Sequence, residues 1–317
     1  MAVSVVTPLI SVVIPAHDAQ AYLGACLASV QAQRGAFTLE VIVVDDGSSD
    51  STPDIARQQP GVTCLTQPNR GPSAARNTGI AQARGELIAF LDADDLWPPG
   101  KLAAQLDVLE RHPEAAVVFG DCRQFDEGGQ QPQTLFEAGA LGTGAWGNSE
   151  TVPGAYARLL EENFITTGSV VMRRAALAEL GGFAEDLRLV EDLELWLRVA
   201  RRHPVAWCSQ VCLLRRRHAD NTSRDPEAMS LAFLDVLRRQ EAHQAGKAAV
   251  PDLDLRRLVA REYLHLAELA LSRGLARTAF ERAWRSLVER PRPRTLWRLG
   301  HAAIMLLAPP AEQKHDA

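Results

Sequence analysis

The chain has 317 residues, 46% of them hydrophobic and 23% charged, with a formal net charge of -5. That is ordinary for a globular protein and long enough for one large domain plus an appendage. The acidic balance leaves no electrostatic footprint for nucleic acid, and no uninterrupted apolar stretch reaches the ~20 residues of a transmembrane helix. Five scattered cysteines (26, 64, 122, 208 and 212) include no second pair to complete a zinc site with Cys208 and Cys212, and Met1–Ser4 lacks the basic start of a signal peptide. A reducing cytoplasm is the expected setting.

Leu9–Pro15 is a short apolar run stopped by proline and reads as a strand. After Ala16-His17-Asp18, apolar residues recur at Leu23, Cys26, Leu27 and Val30 with helical spacing. Val41–Val44 is a second strand, ending at Asp45-Asp46-Gly47-Ser48-Ser49-Asp50. Ser51-Thr52-Pro53-Asp54 then reads as a helix N-terminus, with hydroxyl, proline and acid in the order that satisfies the first turn. Val62–Leu65 is a third strand, and Arg70–Asn77 opens the next helix.

The fourth strand, Glu86–Leu91, runs into Leu91-Asp92-Ala93-Asp94-Asp95. Three carboxylates within four residues repel one another and raise each other's pKa. A hard divalent cation reverses that sign, because Mg²⁺ or Mn²⁺ takes one or two carboxylates together with phosphate oxygens. Strands alternating with helices at this spacing predict a parallel sheet with helices on both faces, whose ligands bind at the carboxyl ends of the strands. His17, Asp46, Arg76 and the Asp92–Asp95 cluster all fall at those ends.

From Arg123 to Gly154 the chain is rich in Gly and Gln. Loops around Gly139–Gly147 are expected there, flanking short strands such as Thr134–Phe136, with Trp146 either facing a sugar or packing inside. Val190–Arg198 places Glu191, Asp192 and Glu194 at the start of a helix, Leu193–Arg201. There acids either complement the helix dipole or supply a carboxylate base. Val211–Leu214 leads into Arg216-Arg217-His218, and the Asn221-Thr222-Ser223 glycosylation pattern is set aside for want of a secretory route.

Beyond residue 225 the pattern turns helical: Glu227–Gln244, Leu253–Arg273, Ala276–Glu289 and a segment near Thr295–Leu307, with breaks at Gly246, Gly274 and Pro291–Pro293. Tyr263, Leu266, Ala267 and Ala270 are expected to face Ala279, Phe280 and Ala283 in a helical hairpin. Arg282, Arg285, Arg290, Arg292, Arg294 and Arg298 surround Trp284 and Trp297 ahead of the apolar Ala302–Leu307. That composition suits either a solvated helix face or an anionic membrane surface.

Ser11–Pro15, Val43–Asp50, Gly71–Asn77 and Leu91–Asp95 resemble, in order and spacing, the motifs of family 2 glycosyltransferases of the GT-A fold. Val190–Arg198 resembles that family's acidic motif carrying the general base, and Arg216–His218 its late basic-histidine segment. The resemblance implies an α/β GT-A domain over 8–223, Rossmann-like with a mostly parallel central sheet and helices on both faces, followed by a helical C-terminal extension over 225–317. It implies inverting, metal-dependent transfer of a sugar from a nucleotide-diphosphate donor, UDP or dTDP favoured, to a hydroxyl acceptor. The implied setting is assembly of a cell-surface polysaccharide or lipid-linked glycan at the cytoplasmic face of an inner membrane, with peripheral membrane contact left open.

For the site, the resemblance implies Mn²⁺ or Mg²⁺ on Asp94, with Asp92 and Asp95 sharing ligand and ribose roles and His218 reaching the metal or diphosphate. Pro15, Ala16 and His17 would line the base pocket, Asp46 would accept a base N–H, Asp45 would brace its turn, and Arg76 would contact base or phosphate. Asp192 is the implied base, with Glu191 as its alternate. A sugar-nucleotide nucleotidyltransferase is the alternative, but its Gly-rich basic loop is replaced here by Pro15-Ala16-His17-Asp18-Ala19-Gln20. A non-catalytic interaction protein using the helical tail is a third reading, opposed by the intact Asp46, Asp92, Asp94 and Asp192.

Overall fold

The four apolar runs of the N-terminal half become parallel strands β1 (Leu9–Ala16), β2 (Thr38–Asp45), β3 (Val62–Thr66) and β4 (Leu87–Phe90), in the spatial order β3-β2-β1-β4. The computed structural model describes residues 7–139, 146, 149–218, 225–245 and 253–307. Met1–Ser4, most of the Gly139–Gly147 segment, Asn221–Ser223 and Gly246 lie outside them. β1 is central, and Ile10, Val12, Val13 and Ile14 are fully buried, because a strand covered by helices on both faces has no polar side. The register sets Ala16 opposite Asp45 and Val13 opposite Phe90, so His17, Asp46 and Asp92 emerge at one edge. Helices α1 (Leu23–Gln31), α2 (Thr52–Gln58), α3 (Pro72–Gln82) and α4 (Lys101–Arg111) form the crossovers of this half and lead out of it.

Past β4 the eight-stranded sheet becomes mixed through β5 (Val117–Asp126), β6 (Gly129–Thr134), β7 (Val171–Arg173) and β8 (Val205–Arg216). Short β7 runs antiparallel to both β4 and β5, and β8 returns parallel to β5 with two register shifts near Asp121. Gly120 permits that approach, since a Cβ there would meet the Cys212 sulfur at 2.2 Å. Leu96 and Leu214 exchange backbone hydrogen bonds of 3.0 and 2.9 Å, which bring the end of β8 beside the acidic cluster.

The strand expected at Thr134–Phe136 is a correction: Thr134 ends β6, and Leu135–Ala138 is a short helix, α5. A capping box decides it, with the Thr134 hydroxyl accepting from Glu137 N and the Glu137 carboxylate accepting from Thr134 N. Trp146 packs inside, 5.3 to 6.3 Å from the rings of Phe164, Trp207, Phe136 and Phe119. Helices α6 (Ala155–Glu161), α7 (Arg174–Leu180) and α8 (Glu191–Ala200) complete this half. The five cysteines are free thiols; Cys26, Cys122, Cys208 and Cys212 are buried and Cys64 is half-buried.

Contacts divide the chain into two compact units, Met1–Asn221 and Thr222–Ala317. The second holds α9 (Pro226–Gln244), α10 (Leu255–Ser272), α11 (Ala276–Glu289) and α12 (Pro293–Leu307). Gly274, at φ +71°, turns α10 into α11, and buried Ala267, Ala270, Ala279 and Ala283 let the two helices approach closely. Most arginines of the tail are ion-paired within this unit: Arg282 with Glu227, Arg290 with Asp254, and Arg294 and Arg298 with Glu268. Trp284, Val288, Leu296, Trp297 and Ile304 remain exposed. No helix among the described residues is long and apolar enough to cross a membrane.

Candidate active site

The ends of β1 and β2 are tied together by their loops. Asp45 Oδ1 accepts the Ser48 N–H at 3.0 Å and closes the turn. Gly47 must be glycine, since φ is +77° and a Cβ would stand 2.9 Å from Asn69 N. Asp46 donates its own N–H to Ala16 O at 2.8 Å. Its buried carboxylate accepts Gln67 Nε2 (2.8 Å) and Arg70 N (2.9 Å) on Oδ1, and Gly71 N (2.8 Å) on Oδ2. Asp46 therefore anchors the loop that opens α3. Pro15 and Ala16 are buried beneath this edge, and exposed His17 stands above it, Nε2 3.2 Å from Asn69 Nδ2.

At the end of β4 the chain turns, with Asp95 N donating to Asp92 O at 3.0 Å, and the three carboxylates point to different partners. Asp95 is buried and accepts Arg216 N at 2.8 Å; burial, then the charges of Asp94 and Asp92, raise its pKa. Asp94 Oδ2 lies 2.8 Å from His218 Nε2. The His218 ring stacks on Tyr22 with centroids 5.0 Å apart, and the Arg216 guanidinium lies 5.1 Å from Tyr22 and 4.4 Å from Phe125. Asp92 Oδ1 accepts Arg76 Nη2 at 2.7 Å.

Among the described residues no three His, Cys, Asp or Glu side chains are placed to hold a metal unaided. The convergent pair is Asp94 and His218. Two ligands at ~2.1 Å in adjacent octahedral positions are ~3 Å apart, so the 2.8 Å separation suits both for one ion. Such a two-donor set fits Mg²⁺ or Mn²⁺, which keep waters and phosphate oxygens in their remaining positions.

Across the site, α8 begins just after Val190, whose φ of +53° is unusual for a β-branched residue. Glu191 is buried and accepts Arg76 Nη1 at 2.7 Å. Asp192 accepts Leu193 N (2.6 Å) and Asn163 Nδ2 (3.4 Å) on Oδ1, and Thr167 Oγ1 (3.2 Å) on Oδ2. Burial, then the charge of Glu191, pushes Asp192 up to about 6. Glu191 is committed to an ion pair, whereas Asp192 titrates near neutrality, where a general base works best. Glu194 pairs with Arg198 at 2.7 Å, and buried Leu195, Trp196 and Val199 fix the helix on the core.

Arg76 connects the two sides. It is buried, and its guanidinium points inward to Asp92 and Glu191. Burial opposes its charge, but the two carboxylates outweigh burial and raise its pKa. Tyr22, Asn163 and Thr167 escaped the sequence reading. A single aromatic between the first strand and its helix was a usable signal for Tyr22; Asn163 and Thr167 sit 29 and 25 residues before their partner with no motif around them.

The model of glycosyl transferase family 2 matches residues 11–181, more than half of the chain. An uncharacterized protein of Mycobacterium tuberculosis is 36% identical over 177 residues, 52% of this chain and 46% of that protein, so the chain spans about half the length of this curated relative. Among solved structures, S. aureus TarS 1-349 in complex with UDP-GlcNAc is 19% identical with a TM-score of 0.64, over 93% of this chain and 87% of that one. Mannosyltransferase PcManGT from Pyrobaculum calidifontis, in complex with GDP-Man and Mn²⁺, is 20% identical with a TM-score of 0.56, over 96% and 82%. Both share the fold built here. A family match of this extent, laid on a sheet that gathers the motifs at one edge, makes the chain a member of glycosyl transferase family 2.

Proposed function

We propose that this chain is an inverting, metal-dependent glycosyltransferase, moving a sugar from a UDP- or dTDP-linked donor to a hydroxyl acceptor of a surface polysaccharide or lipid-linked glycan. The observation that carries the reading is the division of the acids: Asp94 paired with His218 on one side, Asp192 with a pKa of about 6 on the other. The complexes of TarS with UDP-GlcNAc and of PcManGT with GDP-Man and Mn²⁺ support a nucleotide-sugar donor and a divalent ion. We read 8–223 as the transferase domain and 225–317 as its helical extension, a division supported by the split of the chain into the compact units Met1–Asn221 and Thr222–Ala317.

In this mechanism His17, Pro15 and Ala16 hold the nucleobase, Asp46 accepts a base N–H beside the loop it anchors, and Asp92 accepts a ribose hydroxyl. Asp94 and His218 would hold Mn²⁺ or Mg²⁺, which would supply Lewis-acid neutralisation of the charge growing on the leaving diphosphate. Asp192 takes the proton of the acceptor hydroxyl as that oxygen attacks the anomeric carbon opposite the leaving group, and attack from that face inverts the centre. Thr167 and Asn163 hold the carboxylate in place while it does so.

Thermal stabilisation by UDP, dTDP, GDP and CDP, each with and without Mn²⁺, tests the reading. A metal-dependent rise in Tm with the uridine or thymidine nucleotide is expected. No rise with any of the four overturns the donor assignment.

The exposed Trp284, Val288, Trp297 and Ile304 of α11 and α12, among arginines, support a peripheral contact of the helical unit with an anionic membrane surface at the cytoplasmic face.

A further inference from the structure

Arg76 has 4% of its surface exposed, yet touches the two halves of the site at once. Its Nη2 donates to Asp92, at the end of β4, and its Nη1 to Glu191, in the first turn of α8, both at 2.7 Å. Its flat face lies 5.2 Å from the Phe183 ring, and its Nε has no partner. The neighbouring Asn77 exchanges hydrogen bonds with Phe183 N (2.8 Å) and O (2.9 Å) and reaches Glu185 Oε1 (3.0 Å). Helix α3 thereby clamps the segment that approaches α8. Val190, in its left-handed conformation directly before Glu191, is the kind of strained position that persists only where its surroundings enforce it.

The geometry points to Arg76 as a positioning residue that couples donor and base: one planar guanidinium sets where Asp92 meets the donor and where Asp192 meets the acceptor. The inference rests on the transferase reading above for the roles of Asp92 and Asp192. A planar fork addresses two carboxylates in fixed directions, whereas a lysine ammonium, a compact charge on a flexible stem, holds the pair with far less geometric constraint. Because coupling is reciprocal, a change at Glu191 is felt at the donor end through Arg76. Asp192 adjoins Glu191 in the same turn, so the clamp that fixes Glu191 also fixes the base. Arg76 touches neither the proposed donor nor the acceptor; it acts through Asp92 and Glu191.

Two measurements test it on the full chain. The first follows the Mn²⁺-supported release of UDP from UDP-GlcNAc by Arg76→Lys, Asp92→Asn and Glu191→Gln. Asp92→Asn should act mainly on KM and Glu191→Gln mainly on kcat. Arg76→Lys should move both, each by about tenfold, the effect expected when a shared contact of ~1.4 kcal/mol is lost. An Arg76→Lys variant with a lower Tm but unchanged kcat and KM overturns the coupling.

The second measurement is a thermal-unfolding cycle between Asp92→Asn and Glu191→Gln with Arg76 in place and no nucleotide present. It should be non-additive by a factor of about three or more in the folding equilibrium, whereas additive effects overturn the inference. This cycle stands even if Arg76→Lys fails to fold. It also separates the two readings: failure of UDP-GlcNAc turnover with a non-additive cycle removes UDP-GlcNAc as the donor and leaves the clamp.

Discussion

His218 Nε2 lies 2.8 Å from Asp94 Oδ2, although 124 residues separate them. The contact exists because β8 runs beside β5 and its end is pinned to Leu96 by paired backbone hydrogen bonds. Stacking on Tyr22 fixes the plane of the imidazole. A carboxylate and an imidazole so placed are useful together and of little use apart.

Asp94→Ala should therefore abolish the Mn²⁺-dependent part of UDP binding, and His218→Ala should weaken it by about 10- to 100-fold, the loss typical of a metal-site residue. Calorimetric titration of UDP with and without Mn²⁺ reads both. In the absence of metal and nucleotide each variant should keep its Tm within a few degrees, since a single part-buried hydrogen bond contributes about 0.5–1.5 kcal/mol.

Asp192 carries a pKa of about 6, raised by burial and by Glu191. The rate should climb with pH as the carboxylate ionises and level off above about 6. Asp192→Asn should remove that acid limb and lower kcat by about 10²- to 10⁴-fold. The stability effect has the opposite sense. A carboxyl whose pKa is raised in the fold binds its proton more tightly there, so this contribution is complete below the unfolded value of ~3.9 and is lost as pH rises through about 6. Asp192→Asn should consequently have a higher Tm than the parent at pH 8 and little difference at pH 4, as read by calorimetric scans.

Asp46 accepts Gln67 Nε2, Arg70 N and Gly71 N. Asp46→Ala removes the acceptor shared by these three donors, at a cost of about 1 kcal/mol for each part-buried hydrogen bond lost. Thermal melts should show a Tm lower by several degrees, and UDP binding should weaken as the loop opening α3 loosens. Asp46→Asn, which keeps acceptor capacity on one oxygen, should fall between the two.

On the helical unit, Trp297 and Ile304 are 60% and 69% exposed, one above the other on α12. If this face meets an anionic bilayer, the chain should sediment with phosphatidylglycerol vesicles and not with phosphatidylcholine vesicles. The pair Trp297→Ser and Ile304→Ser should then lower vesicle binding by about tenfold or more while leaving the melting curve unchanged. Equal sedimentation of parent and variant would remove the membrane assignment.

Much of this molecule was open to sequence reading because the informative signals were local. Apolar runs closed by proline, glycine or aspartate placed β1, β3 and β4 to within a residue; β2 begins at Thr38, three residues ahead of its Val41–Val44 run. The alternation with helices placed the loops bearing His17, Asp46 and Asp92 on a common edge. The helices from α9 to α12 were visible from period and breaks alone. Thr134–Phe136 was misread because three residues are too few to carry a period; the Thr134–Glu137 capping box was the stronger signal.

Tertiary structure decided the partnerships. Periodicity records which face of an element is buried, but it holds no information on which charge a buried charge will meet. Hence the pairing of Arg76 with both Asp92 and Glu191 had no signal in the sequence, and Trp146 stood open between sugar and core until its aromatic neighbours closed around it. Asp192 and Glu191 are adjacent in sequence and equally acidic. What separates them is that Arg76 hydrogen-bonds one, while burial and the charge of Glu191 raise the other against the more distant pull of Arg76, a distinction of ångströms that arises only when strands and helices more than a hundred residues apart are packed together.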